Sequence, residues 1–110
     1  LILGHMGETL PYHLWRFDCR WKISNRGSKK LELAPSEYFK RNFWCTTAGV
    51  CSDEPMRCAI DALGVERVMF SVDYPFERSE ETAEWIETAK LSISERSLVC
   101  YENAKLLLKL

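Results

Sequence analysis

Val68-Met69-Phe70-Ser71-Val72-Asp73-Tyr74-Pro75-Phe76 is the stretch from which the rest of the chain can be read. Val68 to Val72 is mostly apolar and rich in β-formers, the pattern of a buried strand in a parallel sheet. The run stops at Asp73, and Pro75 can neither donate a ladder hydrogen bond nor easily continue the strand. A carboxylate at the carboxyl end of a buried parallel strand stands where α/β folds build their sites. Asp is equally favoured in turns, where it hydrogen-bonds locally. Both readings of Asp73, turn cap and site carboxylate, stay open on these residues alone.

Outward from this strand the chain alternates helix and strand. Leu1 to Leu3 reads as a strand end, delivering the loop Gly4-His5-Met6-Gly7-Glu8. Pro11 suits a first helical position, with Leu14, Trp15 and Asp18 in a helix ending near Trp21. Ser24 to Lys30 is polar around a glycine and reads as a loop. Pro35-Ser36 opens a short helix with Tyr38 and Phe39 on one side and Glu37 and Arg41, four apart, on the other. Phe43 to Thr47 alternates aromatic and β-branched residues, hence a strand, and Ala48 to Ser52 is its exit loop. Ser52 or Asp53 caps the next helix, whose apolar face is Met56, Ala59, Ile60 and Leu63, closed by Gly64. After Asp73, acidic Glu80, Glu81 and Glu84 suit a helix N-terminus, with Thr82, Trp85, Ile86 and Ala89 facing inward. Ser94 caps a last helical region, broken near Asn103. The order is β-α-α-β-α-β-α-α, with crossovers long enough for parallel pairing. Three such βα units cannot close a barrel, but they match the last three eighths of one.

The 110 residues make at most one domain, 46% hydrophobic and 28% charged, an ordinary globular composition. A formal net charge of −1 lends no support to a nucleic acid or an anionic membrane as partner. No apolar run is long enough to span a bilayer. The five cysteines contain no C-x-x-C pair and are odd in number, which argues against a disulfide framework or a structural zinc. They read as small buried apolar residues in a reducing, cytoplasmic setting. Trp15, Trp21, Trp44 and Trp85 read as core. The chain opens on Leu1-Ile2-Leu3 as if inside a strand, which reads as the tail of a longer protein.

His5 sits two residues past a strand end between two glycines. A lone loop histidine is commonly a surface residue, and that reading stands beside a functional one. Glu8, three residues on, can hydrogen-bond the imidazole, fix its tautomer and raise its basicity. His13 falls within a helix and reads as structural or surface.

Gly4-His5-Met6-Gly7-Glu8, Leu10-Pro11-Tyr12, Trp15-Arg16-Phe17-Asp18 and Phe70-Ser71-Val72-Asp73-Tyr74-Pro75-Phe76-Glu77 occur in that order. Together with Asn103-Ala104 and Leu107, they resemble the amidohydrolase-related metal-dependent decarboxylases, in particular those acting on γ-resorcylate and 2,3-dihydroxybenzoate. The resemblance spans the whole chain. It implies an α/β fold, the C-terminal three βα units (strands 6–8) of a distorted (β/α)8 TIM barrel, with residues 1–110 part of one amidohydrolase-like domain. It also implies that Asp73 is a metal ligand and catalytic, that His5 is the active-site histidine, that Glu8 is its partner, and that Phe76 packs on an aromatic substrate. Arg16 and Asp18 match the pattern without an assigned role. The cofactor implied is a divalent metal, zinc or manganese. Its further ligands, a Glu-x-His motif and another histidine, have no counterpart in residues 1–110.

The function expected of the intact parent is therefore non-oxidative decarboxylation of an ortho-hydroxy aromatic carboxylic acid, with the isolated 110 residues inactive. The alternatives are a metal-dependent hydrolase or lactonase of the same superfamily, and a non-catalytic truncated remnant. Expected partners are a small aromatic carboxylate and further copies of the full-length chain, with no nucleic acid and no membrane.

Overall fold

The computed structural model describes residues 1–24 and 31–110; the loop read over Ser24 to Lys30 lies, beyond Ser24, outside the described residues. Three parallel strands form the sheet in the order β1-β2-β3: β1 is Ile2–Leu3, β2 is Trp44–Thr46 and β3 is Val68–Met69. Ile2 pairs with Trp44 and Leu3 with Cys45; Cys45 pairs with Val68 and Thr46 with Met69. Helices α1 (Leu10–Ser24) and α2 (Pro35–Asn42) connect β1 to β2, and α3 (Asp53–Leu63) connects β2 to β3. Helix α4 (Ser79–Thr88) follows β3, then α5 (Ile93–Ser97), a π-helical segment (Leu98–Glu102) and α6 (Asn103–Leu108). The element order is the one expected from sequence.

The core divides into two clusters that share α3. One joins Met6, Met56, Ala59, Ile60 and Val68 to Ile86, Ala89 and Val99; the other joins Leu14, Phe39, Cys45 and Leu63. The apolar faces read for α3 and α4 are thus the buried ones, with Trp85 only partly covered. Phe39 and Phe43 stack at 4.6 Å across the end of α2.

Each strand is shorter than its sequence suggested. The Val68–Val72 strand ends at Met69 because its later backbone groups bond elsewhere. Phe70 N donates to Val99 O at 2.8 Å, and Ser71 meets the side chain of Thr47 rather than a strand backbone. Helix α1 begins one residue earlier and runs three residues further than Pro11 to Trp21 implied. Glu37 turns back to accept from Ala34 N at 3.2 Å instead of pairing with Arg41, which lies over the Tyr38 ring. Ser52 precedes α3, but its hydroxyl donates to Glu54 and caps no backbone group. The last helical region is capped by Ser92, not Ser94: the Ser92 hydroxyl accepts from Glu95 N while the Glu95 carboxylate accepts from Ser92 N. The break expected near Asn103 is the π-helical segment Leu98–Glu102 immediately before it.

Two side chains tie the C-terminal region to the sheet and to α3. Asn103, 2% exposed, donates through Nδ2 to Val65 O and Val68 O, both at 2.8 Å. Arg57 of α3 donates to Glu95 Oε1 at 2.8 Å. The guanidinium of Arg96 donates to the carbonyls of Ile86 and Ala89, satisfying the end of α4.

Trp15 is 76% exposed, a correction to its reading as core; Trp21, Trp44 and Trp85 are half-buried. The cysteines divide similarly. Cys45 is buried and its thiol is pushed up to about 11 by desolvation, whereas Cys51 and Cys100 are exposed. Among the described residues no helix is long and apolar enough to cross a membrane.

Two outcomes follow for stability. Asn103→Leu takes the side-chain donor from the buried Val68 carbonyl, while Val65 O keeps the Val68 N–H, and should cost about 1–3 kcal/mol, read from urea unfolding of the whole protein. An unchanged midpoint would contradict the tether. The Glu95 carboxyl is held down to about 2, first by the Arg57 hydrogen bond and then by the Ser92 N–H. A depressed folded-state value stabilises above the unfolded pKa of about 4.3, and that contribution disappears as pH falls through the folded value. Glu95→Gln keeps the cap but loses the ion pair. It should therefore lie roughly 0.5–1 kcal/mol below wild type at pH 7, with the gap closing between about pH 5 and pH 2.

Candidate functional site

The carboxyl ends of the three strands open onto one place. After β1 the chain turns sharply through His5, Met6, Gly7 and Glu8, with φ of 49°, 54°, 77° and 54°. Left-handed backbone is cheap only for glycine; for other residues it costs about 1–2 kcal/mol each. Packing supplies the compensation. Met6 is 2% exposed within the core, and His5 N donates to Ala48 O at 3.2 Å. Gly7 could carry no side chain, since a Cβ there would lie 2.7 Å from Cys45 Sγ. The buried Cys45 therefore has a packing role against this turn.

The turn aims the imidazole across the strand ends. His5 Nδ1 lies 2.7 Å from Glu8 Oε1, and His5 Nε2 lies 3.3 Å from Asp73 Oδ2. Asp73 is itself left-handed, at φ 78°, and its carbonyl accepts from Phe76 N at 2.9 Å and Glu77 N at 3.2 Å. The Asp73 backbone thus closes the turn, while its carboxylate meets the His5 imidazole. Four non-glycine residues with strained backbone, His5, Met6, Glu8 and Asp73, converge here, as functional sites tend to show.

With a carboxylate at each ring nitrogen, the doubly protonated imidazolium can donate to both. The Glu8 hydrogen bond, followed by that to Asp73, accordingly raises the His5 pKa above 6.5. The His5 side chain is 45% exposed and Asp73 31%, so the pair is open to solvent on one side. Among the described residues no group of three or more His, Cys, Asp or Glu side chains could by itself hold a metal ion. Asp73 with neighbouring His5 fits part of a divalent-cation site and no more.

The remaining motif residues separate. Phe76 is 84% exposed; the structure ties its backbone to Asp73 and leaves its ring in solvent. Asp18 accepts from Ser36 N at 2.9 Å and Ser36 Oγ at 2.6 Å, so it caps α2 and joins it to α1. Arg16 is exposed on α1. Gly49 and Thr47, in and beside the loop after β2, touch the site or its backbone and were not singled out by sequence. The available signal was a glycine two residues beyond a strand-end threonine.

A family model described as Amidohydrolase matches residues 1–110. The chain belongs to this amidohydrolase family. It is 39% identical to a gamma-resorcylate decarboxylase of Polaromonas sp. (strain JS666 / ATCC BAA-500), over 100% of this chain and 34% of that protein. The crystal structure of the 5-carboxyvanillate decarboxylase LigW from Sphingomonas paucimobilis superposes with a TM-score of 0.94 at 40% identity, over 99% of this chain and 33% of that one. A dihydroxybenzoic acid decarboxylase from Polaromonas sp. JS666, solved with bound manganese and the inhibitor 2-nitroresorcinol, gives a TM-score of 0.82 at 37% identity, over 98% and 33%. The chain thus spans about a third of the length of its relatives and shares the α/β fold of its amidohydrolase neighbours.

The hydrogen-bond geometry predicts an order of effects on His5. In the metal-free protein, Glu8→Gln should lower the His5 pKa toward 6.5, and by more than Asp73→Asn does, because Glu8 makes the shorter bond. Imidazole resonances followed through a pH titration by NMR give both values. A larger drop from Asp73→Asn would reverse the assignment of the main partner.

Proposed function

We propose that residues 1–110 are the last three βα units, strands 6–8, of a distorted (β/α)8 barrel, and that the whole protein decarboxylates an ortho-hydroxy aromatic carboxylic acid non-oxidatively. The observation that carries this reading is the meeting of Asp73, at the exit of β3, with a His5 held by Glu8. The parallel strand order and the one-third coverage of named decarboxylases support it.

In this reading Asp73 is a metal ligand, and the other ligands lie outside residues 1–110. The dihydroxybenzoic acid decarboxylase structure with manganese supports a divalent ion, manganese rather than zinc being the one recorded there. Such an ion supplies electrostatic stabilisation to the anionic substrate and to charge developing on it. The chain's own residues manage the proton. The Asp73–His5 pair delivers it to the ring carbon bearing the carboxylate. The bond from that carbon to the carboxylate then breaks, carbon dioxide leaves, and the electron pair returns to the ring to restore aromaticity. Glu8 keeps the imidazole oriented and charged. Phe76, exposed and three residues beyond Asp73, offers its ring as an apolar wall for the substrate. The free cysteines accord with a reducing, cytoplasmic setting.

Asp73→Asn in the whole protein tests the reading. Manganese retention should fall sharply, and carbon dioxide release from a panel of hydroxybenzoates should drop about 10²–10⁴-fold, with the urea midpoint little changed. Wild-type metal content and turnover would sink the assignment. Lactone hydrolysis without carbon dioxide release by the wild type would favour a hydrolase instead.

A further inference from the structure

The loop after β2 lies between the two groups of the site. Gly49 has φ +68°, and a Cβ built on it would stand 2.9 Å from His5 Cδ2, 3.1 Å from Asp73 Oδ2 and 3.4 Å from His5 Nε2. Favourable carbon–carbon contact begins at about 3.5 Å. The imidazole and the carboxylate therefore meet against a bare Cα, and any side chain there must push at least one of them aside. Because the displaced atoms are the reacting groups themselves, the cost falls on geometry more than on the fold.

Thr47 works from the other end of the same loop. It is completely buried. Its hydroxyl donates to Ser71 O at 2.7 Å and accepts from Ser71 N at 2.9 Å, two residues ahead of Asp73. One hydroxyl thereby replaces the two ladder bonds that β3 no longer makes at that point. Val50 N donates to Thr47 O at 2.9 Å, closing the turn that brings Gly49 beneath the pair. A turn alone explains a left-handed residue at 49, which Asn can also supply. It does not explain contact with both His5 and Asp73.

We propose that Thr47 and Gly49 are positioning residues of the His5–Asp73 site: the Thr47 hydroxyl fixes the backbone that carries Asp73, and Gly49 leaves the gap in which imidazole and carboxylate meet. This rests on the reading of His5 and Asp73 given under Proposed function. It adds two residues that act through them.

The test compares Gly49→Ala, Thr47→Val, Thr47→Ser and Gly64→Ala in the whole protein. Gly64 is the control, since it is also left-handed, at φ +98°, but closes α3 at the opposite end of β3 from Asp73. Hydroxybenzoate kcat and KM, manganese affinity by chelator competition, and the urea midpoint are measured for each. Gly49→Ala should lose about 100-fold in kcat and about tenfold in manganese affinity, with a fall in midpoint no greater than that of Gly64→Ala. Gly64→Ala should keep kcat. Thr47→Val should lose kcat with KM little changed, and Thr47→Ser, which keeps the hydroxyl, should recover it. Wild-type kcat and manganese affinity in Gly49→Ala, the same kcat loss in Gly64→Ala, or Thr47→Ser as poor as Thr47→Val would each overturn the inference. Asp73→Asn in the same series separates the two levels. If it abolishes metal retention while Gly49→Ala leaves it intact, only the positioning role falls; if Asp73→Asn itself is silent, the site reading falls with it.

Discussion

Parallel pairing is the constraint on which everything else here depends. Because β1, β2 and β3 run the same way in register, their carboxyl ends fall on one edge of the sheet. His5, Gly49 and Asp73 lie far apart in sequence yet become neighbours, each one loop beyond its strand. Crossovers through α1–α2 and α3 make the parallel order possible, and their apolar faces hold it by filling the two clusters of the core.

The strands themselves are short, and side chains take over where the ladder stops. Thr47 bridges β2 to Ser71, Phe70 bonds to the π-helical segment, and Asn103 fastens the last helix to both Val65 and Val68. Such buried bonds are costly to leave unmade, which makes them effective anchors. They matter because the site stores strain. Left-handed backbone at His5, Met6, Glu8 and Asp73 persists only if the surroundings over-determine it. Met6 in the core and Cys45 beneath Gly7 provide that support for the first loop; Thr47 provides it for the last.

The electrostatics follow from the same geometry. Glu8 and Asp73 sit at opposite nitrogens of one imidazole, so the charged form of His5 is favoured from both sides. A carboxylate that both contacts this imidazole and remains a third exposed is available to a cation as well as to a proton. That dual availability links the proton chemistry to the metal chemistry proposed for the whole protein.

Much of this was written in the sequence. The element order, the buried faces of α3 and α4, and the pairing of Glu8 with His5 follow from periodicity and from residues close along the chain, where local physics governs. The exits of strands marked His5 and Asp73 as candidates in the same way. The exposure of Trp15 and the capping of α2 by Asp18 were decided by contacts between segments. The choice of Ser92 over Ser94 as cap is local, since Ser92 has Glu95 three residues on, but no local pattern tells a helix face that meets a neighbour from one that does not. The early end of β3 and the place of Gly49 are tertiary in the strictest sense. Each depends on how one strand end stands against the next, a distance of a few ångströms that no local pattern encodes.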